Sequence, residues 1–413
     1  MTTETRLLTA TDDAAAWQLG RIAFGGTDAA PPAGWSGQRP GRLTWGTVQD
    51  GRLVARAVDR AQHQFFGGRS VPTAGIAGVV VVPEHRSTGV GRALLTHLLA
   101  AARDRGAMLS SLFRTTPVPY RRLGFEQVGV LRWTALPTTA LAGLRTPAGT
   151  TLRAATPADV PRLLEIRTVV ARSGTGAMHH TGALHQQTPE AELAGHDGTT
   201  LVEDDRGVAQ GFTSWDRGPG YDARAVLTVD DLLALTADAT TALLANLGSW
   251  AQVAPTLHLR LPESDPAVLL GAFTHATVLS ADPWMLRVLD APGAVVARGW
   301  PEHLGAAVDL ELVDDVCPWN AGSWRLELDG GRGTLVRGGP GRCGSSLGAS
   351  RPGTRARHRR CCGAQGCSAA APAAPTLSSE PRRLDPLRRC STTSDRRPPP
   401  PLDPAGWGSP WPP

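Results

Sequence analysis

The stretch that most constrains the fold of this 413-residue chain is the run Val79-Val80-Val81-Val82-Pro83 and the polar turn that follows it. Four consecutive β-branched residues predict a buried strand, and Pro83 ends that strand. An apolar rhythm of about 3.6 residues then predicts a helix over 89–105. Its apolar positions are Leu94, Leu95, Leu98, Leu99 and Ala102. Because the first amides of a helix have no partner within it, the turn Arg86-x-x-Gly89-x-Gly91-Arg92 is suited to bind an anion such as a pyrophosphate.

This turn matches neither of two common phosphate-binding fingerprints, since it lacks the Gly-Lys-Ser/Thr of a Walker loop and the G-x-G-x-x-G of a dinucleotide site. Its order of strand, proline, R-x-x-G-x-G-R and helix resembles the acyl-CoA pyrophosphate loop of the GNAT acetyltransferases. Downstream, the segment from Tyr120 to Phe125 resembles the short helix of that family that ends in aromatic-x-x-x-Gly-Phe/Tyr. We therefore predict an α/β (α+β) GNAT domain over residues 1–147.

The pattern of the first domain starts again near residue 150. The segment 7–14 is echoed by 152–159, which pairs Thr11 with Thr156, and pieces typical of strands and helices follow in the same order. Because this copy has no Arg-x-x-Gly-x-Gly, we predict a degenerate GNAT-like domain over 148–288. Residues 289–336 resemble the start of a sterol-carrier-protein-like domain, and the three-part order is similar to that of the enhanced-intracellular-survival family.

Residues 337–413 differ in composition from the rest. They contain 13 Arg and four acidic residues but no Val, Ile, Phe, Tyr or Met, whereas residues 1–336 carry an excess of acidic residues. Such a segment cannot build a core, so we predict a disordered, Arg/Pro/Gly-rich low-complexity tail. Two interpretations remain open: a frameshifted reading of a GC-rich gene, or a genuine disordered tail. Resequencing the codons for residues 330–345 would decide between them.

Several classes of partner are disfavoured by composition. The spacing of Cys361, Cys362 and Cys367 lacks the paired ligand sets of a zinc site, so we predict no metal. We find neither a run of about 18 apolar residues nor a secretory signal, so we predict a cytoplasmic protein that does not bind membranes. Because the basic excess is confined to 337–413, without aromatic interleaving until Trp407, nucleic-acid binding is not predicted.

The GNAT resemblance implies acetyl-CoA as co-substrate and assigns roles to matching positions. Val79, Val80 and Val81 would bind the pantetheine arm through their backbone. The pyrophosphate would be surrounded by Ser87, Thr88, Gly89, Val90, Gly91 and Arg92. Thr115 and Thr116 stand where the family carries Ser-Glu, so the carboxylate is absent. Tyr120 matches the general acid, and Asp28 and Trp35 would line the amine pocket.

The same resemblance implies a reaction and an assembly. The enhanced-intracellular-survival family acetylates primary amines of cationic small molecules, such as aminoglycosides and polyamines, or lysine side chains, and it forms hexamers. Its general base is the C-terminal carboxylate, which here belongs to Pro413 in a tail that does not read as folded, so this assignment fails. The alternative function is therefore a catalytically impaired CoA- or lipid-binding homologue.

Overall fold

The computed structural model describes residues 2–25, 30–32, 35–260 and 276–338, together with the backbone of 344–346. The strands in chain order are β1 Thr3–Leu7, β2 Arg42–Gln49, β3 Arg52–Phe66, β4 Arg69–Val81, β5 Leu109–Phe113, β6 Glu126–Pro137, β7 Thr151–Ala154, β8 Met178–His179, β9 Gly198–Glu203, β10 Ala209–Arg217, β11 Val226–Ala234, β12 Thr256–Arg260, β13 Thr277–Val288, β14 Ala306–Val313, β15 Gly322–Asp329, β16 Arg332–Arg337 and β17 Gly344–Ser346. The helices are α1 Asp13–Phe24, α2 Val90–Asp104, α3 Val118–Arg121, α4 Val160–Ser173, α5 Pro189–Leu193, α6 Ala237–Gly248 and α7 Ala291–Ala297.

One 13-stranded sheet runs through both GNAT-like halves, in the order β1-β2-β3-β4-β5-β13-β6-β12-β11-β10-β9-β7, with β8 paired to β3. The two halves exchange a strand at its centre. β13, from the second half, pairs with β5, whereas β6, from the first half, pairs with β12. The mixed α/β tandem fold predicted from the sequence is therefore confirmed, but the two halves share one sheet.

The helix predicted after the valine run is confirmed as α2. Its buried residues are Val90, Leu94, Leu95, Leu98, Leu99 and Ala102. They pack into the core of the first half together with Val80 and Val82 of the valine run. The helix ends before Gly106, whose φ of +99° favours glycine. The apolar rhythm thus fixed both the extent and the buried face of this helix.

The internal repeat is visible in the turn that opens each half. Asp12 accepts hydrogen bonds from the amide and hydroxyl of Thr9, and Asp159 does the same with Thr156. Arg6 and Arg153 hold these two carboxylates by paired hydrogen bonds. Thr156 therefore corresponds to Thr9, and the predicted pairing of Thr156 with Thr11 is wrong by two residues. The prediction matched the Leu residues of the preceding strands instead of the capping Thr and Asp.

The third region begins with α7 and forms a second sheet in the order β16-β15-β14-β17. Arg337 closes β16, and Gly344–Ser346 pairs in parallel with β14, so strand extends past Val336. The Asn320 side chain accepts a hydrogen bond from the first amide of α7 at 2.9 Å. Trp319 lies under the guanidinium of Arg103 near the end of α2, with 4.7 Å between the guanidinium carbon and the ring centroid. This region therefore packs directly on the first half.

Across the described ranges, every helix is too short or too polar to span a lipid bilayer.

Candidate active site

The central strands of the first half separate beside the valine run. β4 and β5 pair in parallel only between 73–75 and 109–111, although β4 continues to Val81. On its other side β4 stays paired with β3, with an irregularity in register next to Gly78, whose φ is +55°. No strand pairs with the β5-facing edge of β4 beyond Gly75 in the described ranges. The Val81 carbonyl accepts a hydrogen bond from the Arg86 side chain at 3.2 Å. The other backbone groups of Val79–Val81 on this edge are available to an extended ligand.

The far side of this opening is held in place by the exchanged strand. β5 pairs with β13 along its whole length, from Leu109 opposite Val288 to Phe113 opposite Trp284. β5 is thus fixed in the sheet while it diverges from β4. The sequence did not reveal this arrangement, because pairing between strands so far apart along the chain leaves no local pattern.

The polar turn carries the chain from β4 into α2. Ser87 has a φ of +63° and Gly89 a φ of +92°, both in the left-handed region. The Thr88 hydroxyl donates a hydrogen bond to the carbonyl of His85 at 2.7 Å, which braces the turn. Ser87, Thr88, Gly89 and Arg92 are exposed, and no side chain among the described residues caps the start of α2. The first amides of α2 therefore face solvent beside an arginine, which suits an anionic ligand.

The matching junction in the second half differs at the start of its helix. α6 follows β11 as α2 follows β4, and β11 pairs in parallel with β12. Here the hydroxyl of Thr236 accepts a hydrogen bond from the Ala239 amide at 3.1 Å. In α6 a side chain thus bonds an amide of the helix start, whereas in α2 the amides of the helix start are proposed to bind an anion. This cap is one physical difference between the two halves, and it fits the degenerate character predicted for the second half.

Tyr120 lies at the end of the short helix α3, after β5. Its ring packs edge-on against Phe125, with 6.2 Å between ring centroids, and against the core of the first half. Burial raises the pKa of the Tyr120 hydroxyl above its ordinary value. Among the described residues the hydroxyl has no hydrogen-bond partner. Thr115 and Thr116 are exposed in the turn before α3.

The remaining predicted site residues have different outcomes. Trp35 packs edge-on against Trp17 of α1, with 5.3 Å between ring centroids, and so lies on the α1 side of the sheet. Val80 is buried, whereas Val79 and Val81 are half-buried. Asp28 and Pro413 lie outside the described residues. The roles of all these residues stay predictions.

One group of potential metal ligands occurs in the described part of the second half. Ligand atoms of His196, Asp216 and Asp230 all lie within 4.8 Å of one another. The His196 ring is hydrogen-bonded to Asp216 at 3.0 Å, and the Arg260 guanidinium lies 3.6 Å from the Asp230 carboxylate. Because Arg260 already lies beside Asp230 and His196 is bonded to Asp216, we interpret the cluster as a structural charge network.

Comparison with known families and proteins agrees with this geometry. Residues 4–128 and 176–288 each match an acetyltransferase (GNAT) domain, and residues 291–353 match a sterol carrier protein domain. An uncharacterized N-acetyltransferase of Streptomyces avermitilis is 31% identical over 284 residues, which cover 66% of this chain and 68% of the relative.

Solved structures give the same fold. The crystal structure of a GCN5-related N-acetyltransferase from Kribbella flavida is 30% identical with a TM-score of 0.70, covering 84% of this chain and 87% of that one. Eis1 from Mycobacterium abscessus, at 22% identity and a TM-score of 0.62, covers 84% of this chain and 87% of its own and shares the fold. On the matched domains and the identity to these relatives, the chain belongs to the GCN5-related (GNAT) N-acetyltransferases.

Proposed function

We propose that this protein transfers the acetyl group of acetyl-CoA to a primary amine. The observation that carries the proposal is the free edge of β4 that leads directly into the uncapped start of α2. In the proposed complex, the backbone of Val79–Val81 binds the pantetheine arm. The amides after Gly89, together with Arg92, bind the diphosphate.

The chemistry proposed for this site is direct attack on the thioester. The neutral amine forms the new C–N bond as the C–S bond breaks, the amine gives up a proton to water, and the Tyr120 hydroxyl donates a proton to the departing thiolate. Tyr120, at the proposed thioester end, is more buried than the exposed turn before α2. This supports binding of the charged diphosphate at the solvent-exposed turn and exclusion of water from the thioester.

The acceptor and the assembly extend this proposal. The resemblance to the enhanced-intracellular-survival family supports primary amines such as aminoglycosides, polyamines and lysine side chains, a homohexamer, and a cytoplasmic location. Light scattering of the purified full chain would test the hexamer.

The direct test is release of free CoA thiol by the purified full chain, with acetyl-CoA and a panel of primary amines. We expect amine-dependent release with formation of the N-acetyl product. Tight CoA binding without turnover of any amine would instead support the impaired CoA-binding homologue. Absence of CoA binding by calorimetry would refute both.

A matched pair of glycine substitutions tests the turn. Gly89 and Gly106 flank α2, both have positive φ, and neither has an atom within 4 Å of an added Cβ. Alanine at either position costs about 1–2 kcal/mol of backbone strain. We expect only Gly89→Ala to weaken CoA binding, about tenfold, because it disturbs amides that bind the charged diphosphate. Calorimetry measures this, and equal CoA affinity in the two variants would contradict the assignment.

A further inference from the structure

Three arginines lie together on the face of the first-half sheet that α1 covers. Arg42 of β2 stands directly opposite Arg60 of β3, and residues opposed in an antiparallel pair share a face. Arg56 lies four residues before Arg60 on β3 and so points to the same side. Arg56 is only 7% exposed, and its guanidinium occupies the space that a Cβ at Gly20 of α1 would take. We refer to Arg42, Arg56 and Arg60 as the arginine cluster.

Among the described residues the arginine cluster has no counter-charge. Within the described ranges, none of its three guanidiniums donates a hydrogen bond or forms an ion pair, and the buried Nε atoms of Arg42 and Arg56 have no acceptor. Burial, helped by neighbouring arginines, lowers the pKa of Arg42 and of Arg56 to about 10, so both remain charged at neutral pH. By contrast, Arg105 on the opposite face contacts both carboxylate oxygens of Asp59, at 2.8 and 2.7 Å.

A buried charge without a partner is costly, so a cluster of them points to a ligand that supplies the opposite charge. Five N–H donors in a planar fork make each guanidinium a good partner for a carboxylate or a phosphate. The side chains that would normally neutralise such a cluster are absent from the described neighbourhood. Among the described residues the arginine cluster is therefore able to accept an anionic ligand.

The sheet register places the arginine cluster beside the opening between β4 and β5. Arg60 is opposite Gly75, which pairs with Ser111 in the last paired row before the strands separate. Arg56 is opposite Val80, within the free-edged part of β4. Since neighbouring strands lie about 5 Å apart, the cluster is one to two strand spacings from the opening. A molecule whose anionic group is bound by the cluster would therefore also be within reach of the opening.

We propose that the arginine cluster binds an anionic group of the acetyl acceptor, so that the acceptor is a primary amine that also carries a carboxylate or phosphate. This inference rests on the proposed transfer of acetyl to a primary amine, and among the acceptors named there it disfavours the polycationic ones. A polyamine would bring a second positive charge toward the arginines and is disfavoured. An amino-carboxylate or amino-phosphate would neutralise them while its amine reaches the thioester.

The first test compares acceptors of equal length in the thiol-release assay with the full chain. We expect kcat/KM for 5-aminopentanoate to exceed that for pentylamine by at least about tenfold, because one hydrogen bond to a charged group is worth that much. The excess over cadaverine should be larger still. Aminoalkyl phosphonates of matched length show whether phosphate is preferred to carboxylate. Arg56→Met and Arg60→Met should lower the aminopentanoate value toward that of pentylamine. The control is Arg52→Met, because Arg52 is exposed at the start of the same strand. It should change kcat/KM for neither aminopentanoate nor pentylamine. Equal use of cadaverine and aminopentanoate would overturn the inference.

A second readout does not depend on turnover. Glutarate or inorganic phosphate should raise the thermal midpoint of the full chain by about 2–4 °C, because a ligand of the native state stabilises it. The increase should persist in Arg92→Met, which separates the cluster from the turn before α2, and should vanish in Arg56→Met. Arg56→Met by itself should not lower the midpoint, since it removes an unpaired buried charge.

A lower midpoint in Arg56→Met, with no effect of either anion on the native chain, would show a structural role and overturn the inference. Anion stabilisation without thiol release from any amine would leave the anion site standing and refute the proposed function.

Discussion

Tyr120→Phe is expected to lower kcat for acetyl transfer by about 10²–10³-fold, the usual worth of a well-placed general acid. Phenylalanine keeps the ring that packs on Phe125 and the first-half core, so the fold should be retained. CoA affinity should be unchanged, because the diphosphate is proposed to bind at the other end of the opening. Steady-state kinetics and calorimetry together separate these two effects.

The control is Tyr221→Phe, at the only other tyrosine of the chain, which is 84% exposed. It should have wild-type kinetics. A Tyr120→Phe variant with wild-type kcat would remove the tyrosine from the mechanism.

The pH profile of kcat provides a further check on Tyr120. Burial raises the pKa of its hydroxyl, so the protonated form that donates to the thiolate persists through neutral and mildly alkaline pH. The acceptor amine, by contrast, gains its reactive neutral form as pH rises. We therefore expect the rate to increase with pH up to at least about pH 9. A decline below that pH would show that another acid is used.

Asp314→Asn is expected to destabilise the protein by about 3–5 kcal/mol, the typical cost of breaking a buried ion pair. Arg287 of β13 and Asp314, after β14, are 2% and 5% exposed, and the guanidinium lies 2.6 Å from the carboxylate. The same carboxylate oxygen accepts the amide of Cys317 at 2.9 Å. Asparagine preserves the size of the side chain but removes the charge that balances Arg287. Urea unfolding of the full chain measures the loss.

Asp315→Asn is the matched control, because Asp315 is the next residue and is exposed. It should change the free energy of unfolding by no more than about 0.5 kcal/mol. If the two variants unfolded at the same urea concentration, the buried pair would not be what secures the third region to β13.

The parts of the fold that could be predicted are those with a local signal. The β-branched run, Pro83 and the period of Leu94, Leu95 and Leu98 placed a strand, a turn and a helix in the right order, and the turn was predicted to suit an anion. The tandem repeat could also be read, although its alignment slipped because flanking leucines outweighed the capping residues.

The parts that could not be predicted depend on pairing across long stretches of chain. Nothing near β5 in the sequence indicates that β13 is its neighbour. In the sequence, Arg42, Arg56 and Arg60 are ordinary polar positions on two alternating strands. Only their burial, with no acidic partner in the part of the chain that the structure describes, distinguishes them. An anionic acceptor could therefore be inferred only after the register of β2, β3 and β4 was known.

The exchange of β6 and β13 gives the chain an order of assembly. While it is being synthesised, the segment up to Phe113 can form most of its strands, but the outer edge of β5 must wait until Thr277–Val288 has been made. An exposed strand edge is a template for unwanted pairing. We therefore expect neither half to fold stably when it is expressed alone. Two fragments divided between β6 and β7 should form the native sheet only when they are mixed.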